Sequence, residues 1–182
     1  MIESTLENIV DYYTKIGLSI EDWLLLDPHA LMLQGYKLDI PESYVKKHVN
    51  TLVDEKRLPW LVPKHRKGYD ALPHAKSEDF EEFVEFQKRT GIYPHLIPTS
   101  RKELKLLQSV LYELPSGRNI KIIKPMDAIK IFYEKTLGKY DERDVGKDKI
   151  EYWKDRIDKI RRAAEEQGDE EVVKFCEDIL RK

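Results

Sequence analysis

The chain has 182 residues, of which 41% are hydrophobic and 36% are charged, and these values indicate one soluble globular domain or one domain with a helical appendage. The 32 basic and 34 acidic side chains give a net charge of −2. This balance argues against a dedicated nucleic-acid-binding protein, although it is compatible with a local basic patch. The charged residues are rich in Glu and Lys, a bias also seen in proteins from heat-loving organisms.

A single cysteine, Cys176, excludes an intramolecular disulfide and a zinc site built from several cysteines. It falls on a helical stripe with Val172 and Ile179, so we interpret it as a small buried hydrophobic residue. The N-terminus has no basic segment followed by a long apolar run, and no stretch approaches the roughly 18 apolar residues of a membrane span. The sequence therefore predicts a cytoplasmic protein that does not cross a membrane.

The first predicted helix begins at a capping box, in which Ser4 is followed three residues later by Glu7. Apolar residues continue at helical spacing as far as Ile16, and Gly17 ends the pattern. We expect this N-terminal helix to pack on a sheet.

The next stretch predicts a strand, a short helix and a second strand. Residues 24–26 are an apolar run that fits a buried strand. Asp27 is the expected N-cap of the helix, Pro28 its first residue and Gly35 its end. Residues 49–53 form the second predicted strand.

The segment that follows is rich in proline and basic residues. Residues 57–63 are expected at a sheet edge or in a turn, because their prolines do not suit a central strand. Residues 64–76, KHRKGYDALPHAK, form the clearest loop of the first half. His65 and His74 are nine positions apart and match no short metal-binding spacing, which favours an exposed loop over a ligand pair.

The second half begins with a helix that Ser77 caps and Gly91 ends. The remaining predicted elements are a short strand over 92–98, a helix with a capping box at Ser100 and Glu103, a hairpin of 110–114 and 119–123, a helix from Pro125, and C-terminal helices over 148–167 and 172–180. This order predicts an α+β protein with a mixed sheet. Residues 1–147 would form the core and 148–182 a helical hairpin packed on it, in one compact domain.

The strand, helix, loop and strand of residues 23–60 resemble the core of the nucleotidyltransferase fold. In that family the first strand ends in Gly-Gly or Gly-Ser, a helix of the type x-A-L-x-L-x-G-x follows, and the next strand carries Asp-x-Asp. The helix pattern is matched by Ala30, Leu31, Leu33 and Gly35. Asp27-Pro28 stands where the family has its two small residues, and weaker matches extend the likeness over about residues 20–165.

The resemblance assigns the three metal-binding carboxylates of the family to His48, Asn50 and His95 of this chain. Nucleotidyl transfer uses two Mg²⁺ ions held by carboxylates, and three neutral side chains would leave their charge uncompensated. The resemblance therefore implies a small, degenerate member in which Mg²⁺ is not expected. His48 and His95 could instead face each other on adjacent strands and, with Asn50, bind a softer ion such as zinc, although two satisfied or surface histidines are more common.

The same resemblance implies an anion site, because family members use a lysine near phosphates on the helix that follows the hairpin. Its candidate residues are Lys124, Lys130, Arg143 and Lys147. The competing interpretation is a solvated charged face, which is common in a chain this rich in lysine.

The implied function is that of a catalytically inactive regulatory module that binds a nucleotide, an RNA or another protein. One alternative is an active transferase with other metal ligands, drawn from Asp39, Glu42, Asp54 and Glu55. Another is a small α+β protein outside this family that binds a partner protein through residues 60–72, whose Trp, Tyr and Arg suit a contact surface.

Overall fold

The computed structural model describes residues 2–58, 61–63, 71–73, 78–132 and 147–181; of residues 61–63, 71–73 and 147–149 it describes the backbone alone. The helices are α1 (Ile2–Lys15), α2 (His29–Leu33), α3 (Glu42–Lys47), α4 (Glu78–Thr90), α5 (Arg101–Leu106), α6 (Pro125–Phe132), α7 (Lys147–Gln167) and α8 (Glu170–Leu180). The strands are β1 (Trp23–Leu25), β2 (His48–Asp54), β3 (Leu61–Pro63), β4 (Ala71–Pro73), β5 (Tyr93–Thr99), β6 (Ser109–Glu113) and β7 (Asn119–Ile123).

Five strands form one mixed sheet in the order β5-β2-β1-β7-β6. β1 runs antiparallel to β2 and parallel to β7, β2 runs parallel to β5, and β6 and β7 form the predicted hairpin. β3 and β4 pair in a separate two-stranded sheet. Helices combined with a mixed sheet confirm the predicted α+β class. The proline-containing β5 lies at an edge of this sheet, the position that proline tolerates.

The N-terminal helix α1 packs on one face of this sheet, as predicted. Tyr13 is fully buried, its Oη lies 2.5 Å from Oγ1 of Thr51 on β2, and its ring meets the edge of Trp23 at a centroid distance of 4.9 Å. Tyr12 stacks on Phe86 of α4 with 4.6 Å between centroids. α1 and α4 therefore lie side by side over the same part of the core.

The C-terminal helices α7 and α8 form the predicted hairpin and contact the chain that follows β1. Tyr36 Oη donates to Asp169 Oδ2 at 2.6 Å, and Arg156 Nη2 lies 3.4 Å from Asp27 Oδ2. Cys176 is fully buried, which confirms its predicted hydrophobic role, and burial raises the pKa of its thiol to about 12. In the part of the chain that is described, no helix combines the length and apolarity needed to cross a membrane.

The structure differs from several local predictions. α1 already includes Ser4, so the predicted capping box does not begin this helix. α2 begins at His29 with Pro28 at its N-cap and no side-chain capping bond, because the Asp27 carboxylate faces Arg156 instead. The helix α3 was not predicted, since Val45 is its one buried residue and six residues give little hydrophobic periodicity.

The expected loop over 64–76 contains β4, and its other residues lie outside the described ranges. Gly35 ends α2 as predicted, with a φ of 94° that favours glycine.

Candidate functional site

One end of the main sheet brings together the residues that the family resemblance aligns with metal ligands. β2 and β5 begin at this end, and the antiparallel β1 finishes there. Asn50 lies opposite His95, and His48 lies opposite Tyr93. Because residues two apart on a strand point to the same side, these four side chains share one face of the sheet.

Four rings meet on this face, and we call Tyr44, His48, Tyr93 and His95 the ring cluster. His48 Nδ1 lies 3.1 Å from His95 Nε2, within hydrogen-bond distance. The His48 ring stacks on Tyr44 at 4.7 Å and 27° between planes, and on Tyr93 at 5.7 Å and 22°. Tyr93 is 46% exposed and the other three rings are half-buried, so the cluster is accessible to a ligand.

The short helix α3 places Tyr44 over the His48 ring. Glu42 lies in its first turn and Lys46 in its last, the order that the helix dipole favours, and their charged atoms are 3.1 Å apart. Val45 anchors the helix in the core, and its carbonyl accepts a hydrogen bond of 2.7 Å from His29 Nε2. Sequence reasoning missed Tyr44 because it missed this helix.

His29 is a second residue that sequence reasoning did not single out. Its side chain is fully buried, and its Nδ1 has no hydrogen-bond partner among the described residues. Burial lowers the pKa of His29 to about 4; the bond to Val45 opposes this and the charge of Arg156 adds to it. His29 is therefore neutral at pH 7, and its bond to Val45 ties α3 to α2. The one sequence signal was its place before the apolar Ala30 and Leu31.

Asn50 extends the polar row of β2 toward the end of β1. Its Nδ2 donates to the carbonyl oxygen of Asp27 at 3.0 Å. The Asp27 carboxylate is almost buried, and the equally buried Arg156 is its partner. This acid is thus already neutralised by a cation of the chain.

The site offers neutral nitrogen ligands rather than carboxylates. Burial, and then the charge of Lys47, lowers the pKa of His48, so its imidazole is neutral at pH 7. Among the described residues, no group of three or more His, Cys, Asp or Glu side chains could hold a metal ion. A hard ion such as Mg²⁺ prefers oxygen ligands and gains little from this arrangement.

The acids considered for an active transferase do not converge here. Asp54 lies six residues along β2 from His48, about 20 Å away at the usual rise per residue. Its Oδ2 accepts from Arg101 Nε at 2.9 Å, and Arg101 also reaches Asp22 at 2.5 Å. The other three acids occupy exposed positions: Asp39, Glu42 and Glu55.

The predicted anion site is described only in part. Lys124 directly follows β7, at the end of the sheet where β1 also finishes. Lys130 Nζ lies 3.9 Å from Asp127 and 5.9 Å from the ring centroid of Phe175, as in the solvated-face interpretation. Arg143 lies outside the described residues, and of Lys147 only the backbone is described. The anion site stays a prediction.

Comparison of the chain with protein-family models, with curated proteins and with solved structures found no match in any of the three. The resemblance to the nucleotidyltransferase fold thus rests on the pattern of residues. Function has to be argued from the chemistry of the site.

Proposed function

We propose that the protein is a catalytically inactive, nucleotidyltransferase-like module that binds the base of a nucleotide or of a single-stranded RNA end on the ring cluster. The observation that carries this proposal is the near-parallel arrangement of Tyr44, His48 and Tyr93 at an accessible sheet edge. Stacking of a base on an aromatic ring contributes about 1–3 kcal/mol and tolerates any base. Tyr93 is the most exposed ring and the first contact for such a base.

The cations beside the ring cluster support binding of the attached phosphate. Lys46 and Lys47 end α3 and are both exposed. Lys47 directly precedes His48, and its charge acts together with burial, the larger cause, to lower the pKa of that imidazole. Lys46 pairs with Glu42 on the surface, where water screens such a pair, so Lys46 can bind a phosphate instead.

The same residues argue against nucleotidyl transfer. His48, Asn50 and His95 carry no negative charge at neutral pH, and Arg156 already neutralises the nearby Asp27. A stacked base needs no charged partner, so a neutral ring surface suits base binding while it fails as a Mg²⁺ site. The proposed module acts in the cytoplasm.

The test is the binding of a fluorescently labelled RNA oligonucleotide, followed by anisotropy with and without Mg²⁺. We expect binding that does not require Mg²⁺ and that falls about fivefold or more in Tyr93→Ala, as the loss of one stacking contact predicts. Tyr152→Ala is the matched control, because Tyr152 is 56% exposed on α7 and lies outside the ring cluster. Its affinity should equal that of the unsubstituted protein.

Two results would overturn the proposal. The first is equal affinity of the Tyr93→Ala variant and the unsubstituted protein. The second is Mg²⁺-dependent transfer of a nucleotide from a labelled nucleoside triphosphate, which would show that a set of carboxylates does act as metal ligands.

A further inference from the structure

The two imidazoles of the ring cluster face each other at a spacing that also suits a metal ion. His48 Nδ1 and His95 Nε2 are 3.1 Å apart. Nitrogen ligands bind zinc at about 2.0–2.1 Å, so two of them on one ion, at ligand angles between about 90° and 109°, are about 2.8–3.4 Å apart. The observed separation lies inside this range.

We propose that His48 Nδ1 and His95 Nε2 together bind one divalent transition-metal ion of the Zn²⁺ or Cu²⁺ type. Imidazole suits these ions, whereas Mg²⁺ prefers oxygen. Two protein ligands leave at least two coordination positions, which water or an oxygen ligand from outside the protein would fill. The proposal concerns the metal alone and does not depend on base binding.

The sheet holds the two ligands in place. His48 and His95 lie on adjacent parallel strands whose register pairs Asn50 with His95, so the backbone fixes their relative positions. Tyr44 and Tyr93 stack on the His48 ring. The paired strands therefore bring the two ligands to a fixed backbone separation before a metal binds.

Without metal, the two nitrogens share one proton in a hydrogen bond, in which one ring donates and the other accepts. A metal ion replaces that proton and lies off the line between the nitrogens. Each ring then has to turn about χ2, a torsion that is broad in histidine. The shared proton moves to the other ring nitrogen of the donating histidine, because a neutral imidazole keeps one N–H when it binds a metal. Metal binding weakens as the imidazoles become protonated.

The surrounding charges shape which further ligand is favoured. Lys47 lies next to His48 and opposes a cation, while Asp27 is neutralised by Arg156 and offers no compensating charge. Asn50 donates its Nδ2 to Asp27 and is neutral. An anionic oxygen, such as that of a phosphate, would therefore be the preferred external ligand on the metal.

The test is isothermal titration of the full chain with Zn²⁺ in the absence of nucleotide, together with electron paramagnetic resonance of the Cu²⁺ form. The decisive variant is His48→Ala/His95→Ala. The matched control is His65→Ala/His74→Ala, which removes the same number of histidines from the segment 64–76. Circular dichroism confirms that each variant is folded.

We expect the first variant to lose one Zn²⁺ equivalent and the coupling of Cu²⁺ to two nitrogens, while the control keeps both. Loss of a group that only orients a ligand costs about 10- to 100-fold in metal affinity, so His95→Ala alone should cost at least about tenfold. An unchanged Zn²⁺ stoichiometry in His48→Ala/His95→Ala, or no binding by the unsubstituted protein, would overturn the proposal. Neither result would alter the RNA comparison of Tyr93→Ala with Tyr152→Ala.

Discussion

The buried His29 makes the stability of the fold depend on pH in a calculable way. Its Nε2–H donates to the Val45 carbonyl, which leaves Nδ1 as the site where a second proton would bind. That nitrogen is buried with no partner among the described residues, and the charge of Arg156 opposes a further cation. Burial accordingly lowers the pKa of His29 from 6.5 to about 4.

Stability changes with pH because the folded and unfolded chains bind a proton at His29 at different pH values. In the unfolded chain His29 binds a proton near pH 6.5, whereas the folded chain excludes it until about pH 4. The stabilisation is therefore complete above pH 6.5 and is lost as the pH falls toward 4. Each pKa unit corresponds to about 1.4 kcal/mol, so the loss amounts to about 3 kcal/mol.

The assay is urea unfolding at several pH values between 4.5 and 7, followed by far-ultraviolet circular dichroism. His29→Gln keeps a nitrogen donor for Val45 but cannot titrate, so its free energy of unfolding should fall less steeply, by up to about 1.4 kcal/mol per pH unit. His48→Gln is the control, because His48 is only half-buried and should contribute a smaller slope. Equal slopes for His29→Gln and the unsubstituted protein would show that His29 does not cause this pH dependence.

Three further predictions concern buried groups outside the ring cluster. Arg156→Met should destabilise the fold by about 3 kcal/mol, because it leaves the Asp27 carboxylate buried without its cation. The control Arg162→Met, on the exposed side of α7, should cost about 0.5 kcal/mol or less. Urea unfolding measures both losses, and equal losses would contradict the pairing of Arg156 with Asp27. Cys176 should react with a thiol reagent only when the chain unfolds, since burial raises the pKa of its thiol to about 12. The control variant Tyr152→Cys, which places a thiol at an exposed position, should react in the folded protein. Tyr13→Phe should lose about 1 kcal/mol of stability with the hydrogen bond to Thr51, and an unchanged urea midpoint would show that this bond contributes nothing.

Local patterns predicted most of the elements that form the core. Ser100 is an example: its side chain caps the helix by accepting from the Glu103 backbone N–H, while the Glu103 carboxylate accepts from Thr99. The hairpin of β6 and β7 likewise forms around Gly117, whose φ of 86° needs glycine. Such features depend on contacts within a few residues, which the sequence displays directly.

Features without a local pattern were missed or misread. α3 is too short for a periodic signal, so its ring-cluster residue Tyr44 was not anticipated. Asp27 has the residue type and position of an N-cap, but Arg156, which is 129 positions away, takes its carboxylate. Capping rules consider only neighbouring residues, so they do not predict a partner this distant in the chain.

Local patterns alone predict the class of the fold and the helices with strong apolar stripes. The tertiary structure is needed to show that His48 and His95, which are 47 positions apart, place two ring nitrogens 3.1 Å from each other. This distance depends on strand register, because a shift of one residue would turn His95 to the other face of the sheet. The chemistry of each residue can be read from the sequence, but whether such residues meet in one site depends on which distant strands pair.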